Sequence, residues 1–70
     1  MPINRKEPDE IYFFIELNTF EATVLHAWER KPSYPTFAGA RLAAGNYFHT
    51  LEEAQLFADR LNKTLKDRII

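Results

Sequence analysis

The sequence predicts a small α+β domain in which an antiparallel β-sheet of three or four strands packs against one C-terminal amphipathic helix. Three observations favour this class: an aromatic and β-branched run that alternates with period two, a break containing two prolines, and a capping box followed by apolar residues at helical spacing. Because a chain of 70 residues buries enough surface for one core only, we expect a single domain over residues 11 to 70.

The first half of the chain predicts a flexible arm and then a β-hairpin. Residues 1 to 10 mix prolines with polar and charged side chains, which is typical of an extended N-terminal arm. From Ile11 to Leu17 the residues alternate with period two, so alternate positions share one face while Tyr12 and Phe14 lie on the other. A short turn at Asn18 leads to a second strand within residues 20 to 30.

The middle of the chain leaves two interpretations open. Pro32 and Pro35 interrupt any sheet, because proline removes a donor from the strand ladder. Residues 36 to 44 then have alanine and leucine helix propensity with a stop at Gly45, but they also fit a strand that pairs with the following segment. A strand over residues 47 to 49 is predicted in either case.

The clearest local signal is the start of the C-terminal helix. Thr50 and Glu53 form a capping box, in which the threonine hydroxyl accepts from the Glu53 amide. Acidic residues follow the start and basic residues precede the end, as the helix dipole favours. The apolar stripe expected to face the sheet consists of Leu51, Ala54, Phe57, Ala58, Leu61 and Leu65.

Composition and charge argue against several classes of protein. The chain has no cysteine and two distant histidines, so we expect no disulfide, metal or other cofactor, and a cytoplasmic location. No apolar run approaches the roughly 20 residues that span a bilayer, and no signal peptide is expected. A net charge of -1 exerts no strong attraction on nucleic acid.

Catalytic groups are also sparse in the sequence. Ser33 is the only serine and lacks a glycine elbow, and two glycines are too few for a phosphate-cradling loop. Glu16 and His26 are the one conceivable acid–base pair, but their positions in the two strands favour opposite faces. We therefore expect a protein that is not an enzyme and has no small-molecule substrate.

The surplus of aromatic residues suggests a binding surface. If one helix covers one face of the sheet, the aromatic residues of the other face contact solvent or a partner, unless the loop of residues 34 to 37 covers them. We expect a protein partner or a second copy of the chain, with an interface formed by Tyr12, Phe14, Trp28 and Tyr34. The alternative is a nucleic-acid-binding module that uses Arg30, Lys31, Arg41, Lys63, Lys66 and Arg68.

The stretch from Gly45 to Ala54 resembles the strand-to-helix junction of the integrase arm-type DNA-binding module. The shared pattern is Phe-x-Thr-x-x-x-Ala at the start of the C-terminal helix, here at Phe48, Thr50 and Ala54. This resemblance implies a three-stranded sheet that enters the major groove. In size and layout the chain also looks like the small accessory or inhibitor proteins of phages and mobile elements, which implies docking on a larger protein.

Overall fold

The computed structural model describes residues 3–18, 21–31 and 37–69, which form an antiparallel sheet and two helices. The elements in chain order are β1 (Ile11–Leu17), β2 (Ala22–Trp28), α1 (Ala38–Ala43) and α2 (Leu51–Ile69). The predicted α+β class with a C-terminal helix is confirmed. Within the described ranges the sheet has two strands, so the expected three or four strands are not confirmed.

The predicted hairpin is present, with β1 and β2 paired along their whole length. Phe14 lies opposite Leu25, and Ile15 lies opposite Val24. Asn18 begins the turn, where its side-chain oxygen accepts a hydrogen bond from the Glu21 amide at 2.8 Å. Asparagine is common at the start of turns because its side-chain oxygen can accept a hydrogen bond from a nearby backbone amide.

The strand predicted at residues 47 to 49 is reduced to one bridge. Phe48 and Phe13 exchange two backbone hydrogen bonds of 2.9 and 2.8 Å, on the side of β1 away from β2. The pairing stops there because Thr50 already caps the following helix: its Oγ1 accepts from the Glu53 amide at 3.2 Å. The predicted start of α2 and the hydrogen bond to the Thr50 hydroxyl are thus confirmed.

The ambiguous segment after the prolines is helical. α1 covers residues 38 to 43, and the chain leaves it through Gly45 at a positive φ of 76°. Glycine adopts this left-handed conformation without a Cβ clash, so it is a natural helix stop. The helical interpretation of residues 38 to 43 is confirmed, and the strand interpretation is wrong there.

α2 packs on the sheet through its small residues. Ala54 and Ala58 are fully buried, and Ala58 packs with Ile15 and Ala22. The two alanines form the centre of the contact between α2 and the sheet, and the large apolar residues beside them lie at its margin. The predicted apolar stripe is therefore buried only at its centre, and Leu51, Phe57 and Leu65 stay 51%, 47% and 37% exposed.

Two asparagine side chains cover the backbone at the outer edges of the hairpin. Asn46 accepts from the Ile15 amide and donates to the Ile15 carbonyl, both at 2.7 Å. Asn62, from α2, does the same at Ala22, at 2.7 and 3.1 Å. A side-chain amide carries both a donor and an acceptor, so each asparagine replaces one residue of a missing neighbouring strand.

Candidate protein-binding surface

The face of the sheet opposite α2 is covered by the chain itself. Tyr12 and Phe14 are 1% and 8% exposed, and they pack with Ala38 of α1 and with Tyr47. The rings of Tyr12 and Tyr47 stack at a centroid distance of 4.5 Å and an interplanar angle of 9°. The expectation that Tyr12 and Phe14 face outwards is wrong, because α1 and Tyr47 supply the second cover that one helix could not.

Arg41 packs over the cluster that Tyr12, Phe14, Ala38 and Tyr47 form. Its guanidinium lies 3.7 Å from the centroid of the Phe14 ring and donates to the Tyr12 hydroxyl at 2.6 Å. A guanidinium packed on an aromatic face gains cation–π attraction and loses reach towards solvent. The residue expected to contact phosphate thus holds α1 against the sheet.

A buried carboxylate links the N-terminal segment to the domain. Glu29 is 1% exposed, and it accepts hydrogen bonds from Arg5 and from the Tyr47 hydroxyl, each at 2.7 Å. The Tyr47 hydroxyl in turn accepts from the Lys6 amide at 2.7 Å. Residues 5 and 6 of the expected flexible arm are therefore hydrogen-bonded to the domain, although the placing of a boundary at residue 10 stays a prediction.

The pKa values of this cluster follow from burial and hydrogen bonding. Burial raises the pKa of the Glu29 carboxyl, but the hydrogen bonds from Arg5 and Tyr47 outweigh it and leave the pKa below its ordinary value. The hydrogen bond to Glu29 raises the pKa of Arg5. Burial, together with the neighbouring Glu29 carboxylate, raises the pKa of Tyr47 to about 12. The cluster is thus an ion pair with a neutral tyrosine donor at neutral pH.

The structure describes one of the other two expected interface residues. Trp28, at the end of β2, is 52% exposed, so its indole is available to a partner. Tyr34 lies outside the described residues. Glu16 and His26 lie opposite Thr23 and Phe13, two different positions in the strand register, and the structure does not bring them together.

The basic residues of the nucleic-acid alternative form two separate groups. Arg30 and Lys31 are exposed just after β2. The second group is exposed on the last turns of α2 and consists of Lys63, Lys66 and Arg68. Because Asn62 is bonded to Ala22 at the start of β2, the two groups lie about 25 Å apart along the strand at ~3.3 Å per residue.

An apolar groove lies beside α2. It has a volume of about 210 Å³, and its floor is the C-terminal end of β1, with Ile15 and Leu17. One wall is α2, with Phe57 and Leu61, and the other is the turn that follows α1. Phe48 closes one end. Leu17 is 61% exposed and Phe57 is 47% exposed, so the groove presents large apolar side chains to solvent. We call this feature the α2 groove.

The last turns of α2 continue past the groove. Residues 63 to 68 are all exposed, and Leu65 continues the line of Phe57 and Leu61 at four-residue steps. The structure as a whole measures 46 × 21 × 19 Å, and a helix of 19 residues is about 28 Å long. We call residues 63 to 69 the α2 extension.

Sequence analysis missed the α2 groove and the Glu29 cluster for different reasons. The groove exists because Ala54 and Ala58 are the buried centre of α2 and Phe57 lies at the margin. Apolar residues at three- and four-residue steps predict which side of a helix is buried, but not which residues of that side are at its centre. The Glu29 cluster pairs Glu29 with Arg5, 24 residues earlier in the chain, and no local pattern in the sequence indicates this pairing.

Two further findings on the described residues concern metal binding and membrane insertion. Within ranges 3–18, 21–31 and 37–69, no group of three or more His, Cys, Asp or Glu side chains is placed to hold a metal ion. No helix in the described part of the chain is long and apolar enough to cross a membrane, and the cytoplasmic location stays a prediction.

Comparison with known proteins finds no relative. No protein-family model matches the chain, and no curated protein or solved structure is significantly similar to it.

Proposed function

We propose that the chain is a small non-enzymatic protein-interaction module, in the manner of accessory or inhibitor proteins, and that it binds a protein partner in the α2 groove. The proposal replaces the sheet face of Tyr12 and Phe14 with a surface on the other side of the domain. The observation that carries it is the exposure of Leu17 and Phe57 along one concave apolar surface.

The physical reason is the cost of exposed apolar area. Each large side chain that leaves water contributes free energy in proportion to the apolar area buried, roughly 25 cal/mol per Å². Soluble domains rarely leave several such side chains together around a concavity, and where they do the surface is usually a binding site. A partner that inserts aliphatic or aromatic side chains would gain this energy from the α2 groove.

The charge distribution supports a protein rather than a nucleic acid as the partner. A groove that follows a phosphate backbone needs neighbouring cations, because affinity grows with the number of phosphates neutralised. Arg41 is packed on Phe14, and Arg30 lies at the opposite end of β2 from the α2 extension. Among the described residues, those that line the α2 groove are apolar except for Asn46, and none of them is a cation.

Site-specific photo-crosslinking tests the proposal directly. Phe57 is replaced by the photoreactive residue benzoylphenylalanine, which keeps an aromatic side chain at the wall of the groove. Leu56 is the matched control, since it is 55% exposed on the same helix but does not line the groove. The full chain carrying either residue is irradiated in its native host, and the adducts are identified by mass spectrometry.

The expected result is a discrete protein adduct at position 57 and none of the same mass at position 56. Either another protein or a second copy of the chain at position 57 supports the module. Equal yields at both positions, or no protein adduct at position 57, would refute it. Crosslinks to nucleic acid in place of protein would favour the alternative function.

A further inference from the structure

We propose that the occupant of the α2 groove is a second copy of this chain, held by an antiparallel pair of α2 helices. The inference rests on the proposed function, because it names the partner of the same groove. Each copy places its α2 extension beside the groove of the other, so the contact is the same on both sides of a two-fold axis.

In this arrangement the apolar residues of one α2 helix lie opposite apolar residues of the other. Phe57 and Leu65 are each four residues from Leu61, so a two-fold axis at Leu61 places Phe57 of one copy opposite Leu65 of the other. Leu65 is 37% exposed on the extension, beyond the groove of its own copy. An apolar cavity of about 150 Å³ accommodates a benzene-sized ligand, so a groove of about 210 Å³ can take a leucine side chain.

The charges of α2 favour a second copy over an unrelated protein. The first turn carries Glu52 and Glu53, and the last turn carries Lys66 and Arg68. In the antiparallel pair Glu53 lies eight residues before the axis and Arg68 seven residues after it, so each carboxylate meets the guanidinium of the other copy. The two helix dipoles are also antiparallel, which is the favourable arrangement of side-by-side dipoles.

A parallel pair would have the opposite charge pattern. It would place acidic turn beside acidic turn and basic turn beside basic turn, and like charges at such separations repel. The first turn has two acidic residues and the last turn has two basic residues around Asp67, so this charge distribution favours an antiparallel second copy. It also gives the extension, whose residues 63 to 68 are exposed in the single chain, a surface to pack against.

Light scattering on the 70-residue chain tests this proposal across a dilution series up to about 1 mM, which reaches dissociation constants in the millimolar range. The expected mass at high concentration is twice 8.2 kDa. Leu65→Glu should return the chain to its single mass, because it places a charge in the apolar contact. Leu56→Glu introduces the same charge about two and a half turns away, on the opposite side of α2, and should leave the dimer intact.

Charge reversal tests the orientation. Glu53→Lys and Arg68→Glu should each weaken the dimer by about ten-fold, since each change removes two symmetric ion pairs and adds repulsion. The double variant Glu53→Lys with Arg68→Glu should recover most of the wild-type affinity, because the swapped charges are again complementary. Circular dichroism of each variant checks that α2 is still folded.

The outcomes separate this inference from the proposed function. A single-chain mass at every concentration, or equal effects of Leu65→Glu and Leu56→Glu, overturns the second copy. If crosslinking at position 57 still captures one different protein, the protein-interaction module stands and only the choice of occupant fails. If neither a dimer nor an adduct is found, both proposals fail.

Discussion

Replacing Tyr47 by phenylalanine removes one oxygen atom from the buried Glu29 cluster. The hydroxyl donates to Glu29 and accepts from the Lys6 amide, both at 2.7 Å. The ring is 1% exposed and stacked on Tyr12, so phenylalanine keeps the packing. The substitution therefore isolates the hydrogen bonds from the hydrophobic contact.

The expected loss is about 2 to 3 kcal/mol, the contribution of a hydrogen bond to a charged group. A domain of this length has only about 4 to 10 kcal/mol of stability. The melting temperature should thus fall by about 10 to 20 °C.

Urea denaturation followed by circular dichroism measures this loss, and its pH dependence identifies the cause. Because the pKa of Tyr47 is higher in the folded state than in the unfolded state, the neutral hydroxyl contributes its full stabilisation below pH 10. This contribution decreases as the pH rises towards 12, where a tyrosinate would face the Glu29 carboxylate. The difference between wild type and Tyr47→Phe should therefore shrink above pH 10.

The matched control for this prediction is Tyr12→Phe. The Tyr12 hydroxyl accepts from Arg41, whose guanidinium keeps its place on Phe14 and is partly open to water. We expect a cost of about 1 kcal/mol or less, since no buried charge loses its partner. Equal costs for the two variants, or a Tyr47→Phe difference that does not change between pH 9 and 12, would refute the role of the Glu29 cluster.

Three further predictions concern stability. Because the pKa of Glu29 is lower in the folded state, its carboxylate stabilises the fold above the ordinary pKa of 4.5, and this stabilisation is lost as the pH falls through the folded pKa. The free energy of unfolding of Glu29→Gln should therefore fall less steeply than that of the wild type below pH 4.5. Asn62→Ala should cost about 2 kcal/mol in urea denaturation by leaving the backbone of Ala22 without both partners, whereas Gln55→Ala, which loses one exposed contact with Asp59, should stay within about 0.5 kcal/mol. Thr50→Ala should cost about 1 kcal/mol and lower the helical signal at the start of α2, and an unchanged signal would contradict the capping role.

The parts of the fold that the sequence predicts are those with local signals. The alternation from Ile11 to Leu17 and the cap by the Thr50 hydroxyl each depend on residues within one turn or one strand, and both are present in the structure. The segment that forms the helix at residues 38 to 43 has alanine and leucine helix propensity, but it could also pair as a strand with residues 47 to 49. The outcome depended on the face of Tyr12 and Phe14, against which Ala38 packs.

The parts that the sequence does not predict depend on distant contacts. Nothing near Asn46 or Asn62 indicates that their amides bond the backbone of β1 and β2, 31 and 40 residues away. The same holds for the candidate site. Which aromatic residues are exposed was decided by α1 and by the narrow alanine contact of α2, so Tyr12 was buried and Phe57 was left at the surface.

Amide hydrogen exchange at several protein concentrations tests the central claim most directly, because it reports which part of the chain a partner covers. The α2 extension has no buried residue from 63 to 68 in the single chain, so its amides should exchange quickly in dilute solution. We predict that protection of residues 57 to 68 rises with concentration, while the amides of β2 do not change. Protection that is independent of concentration would contradict a second copy as the occupant of the α2 groove, and protection that rises along β2 and not along α2 would place the contact on a different surface.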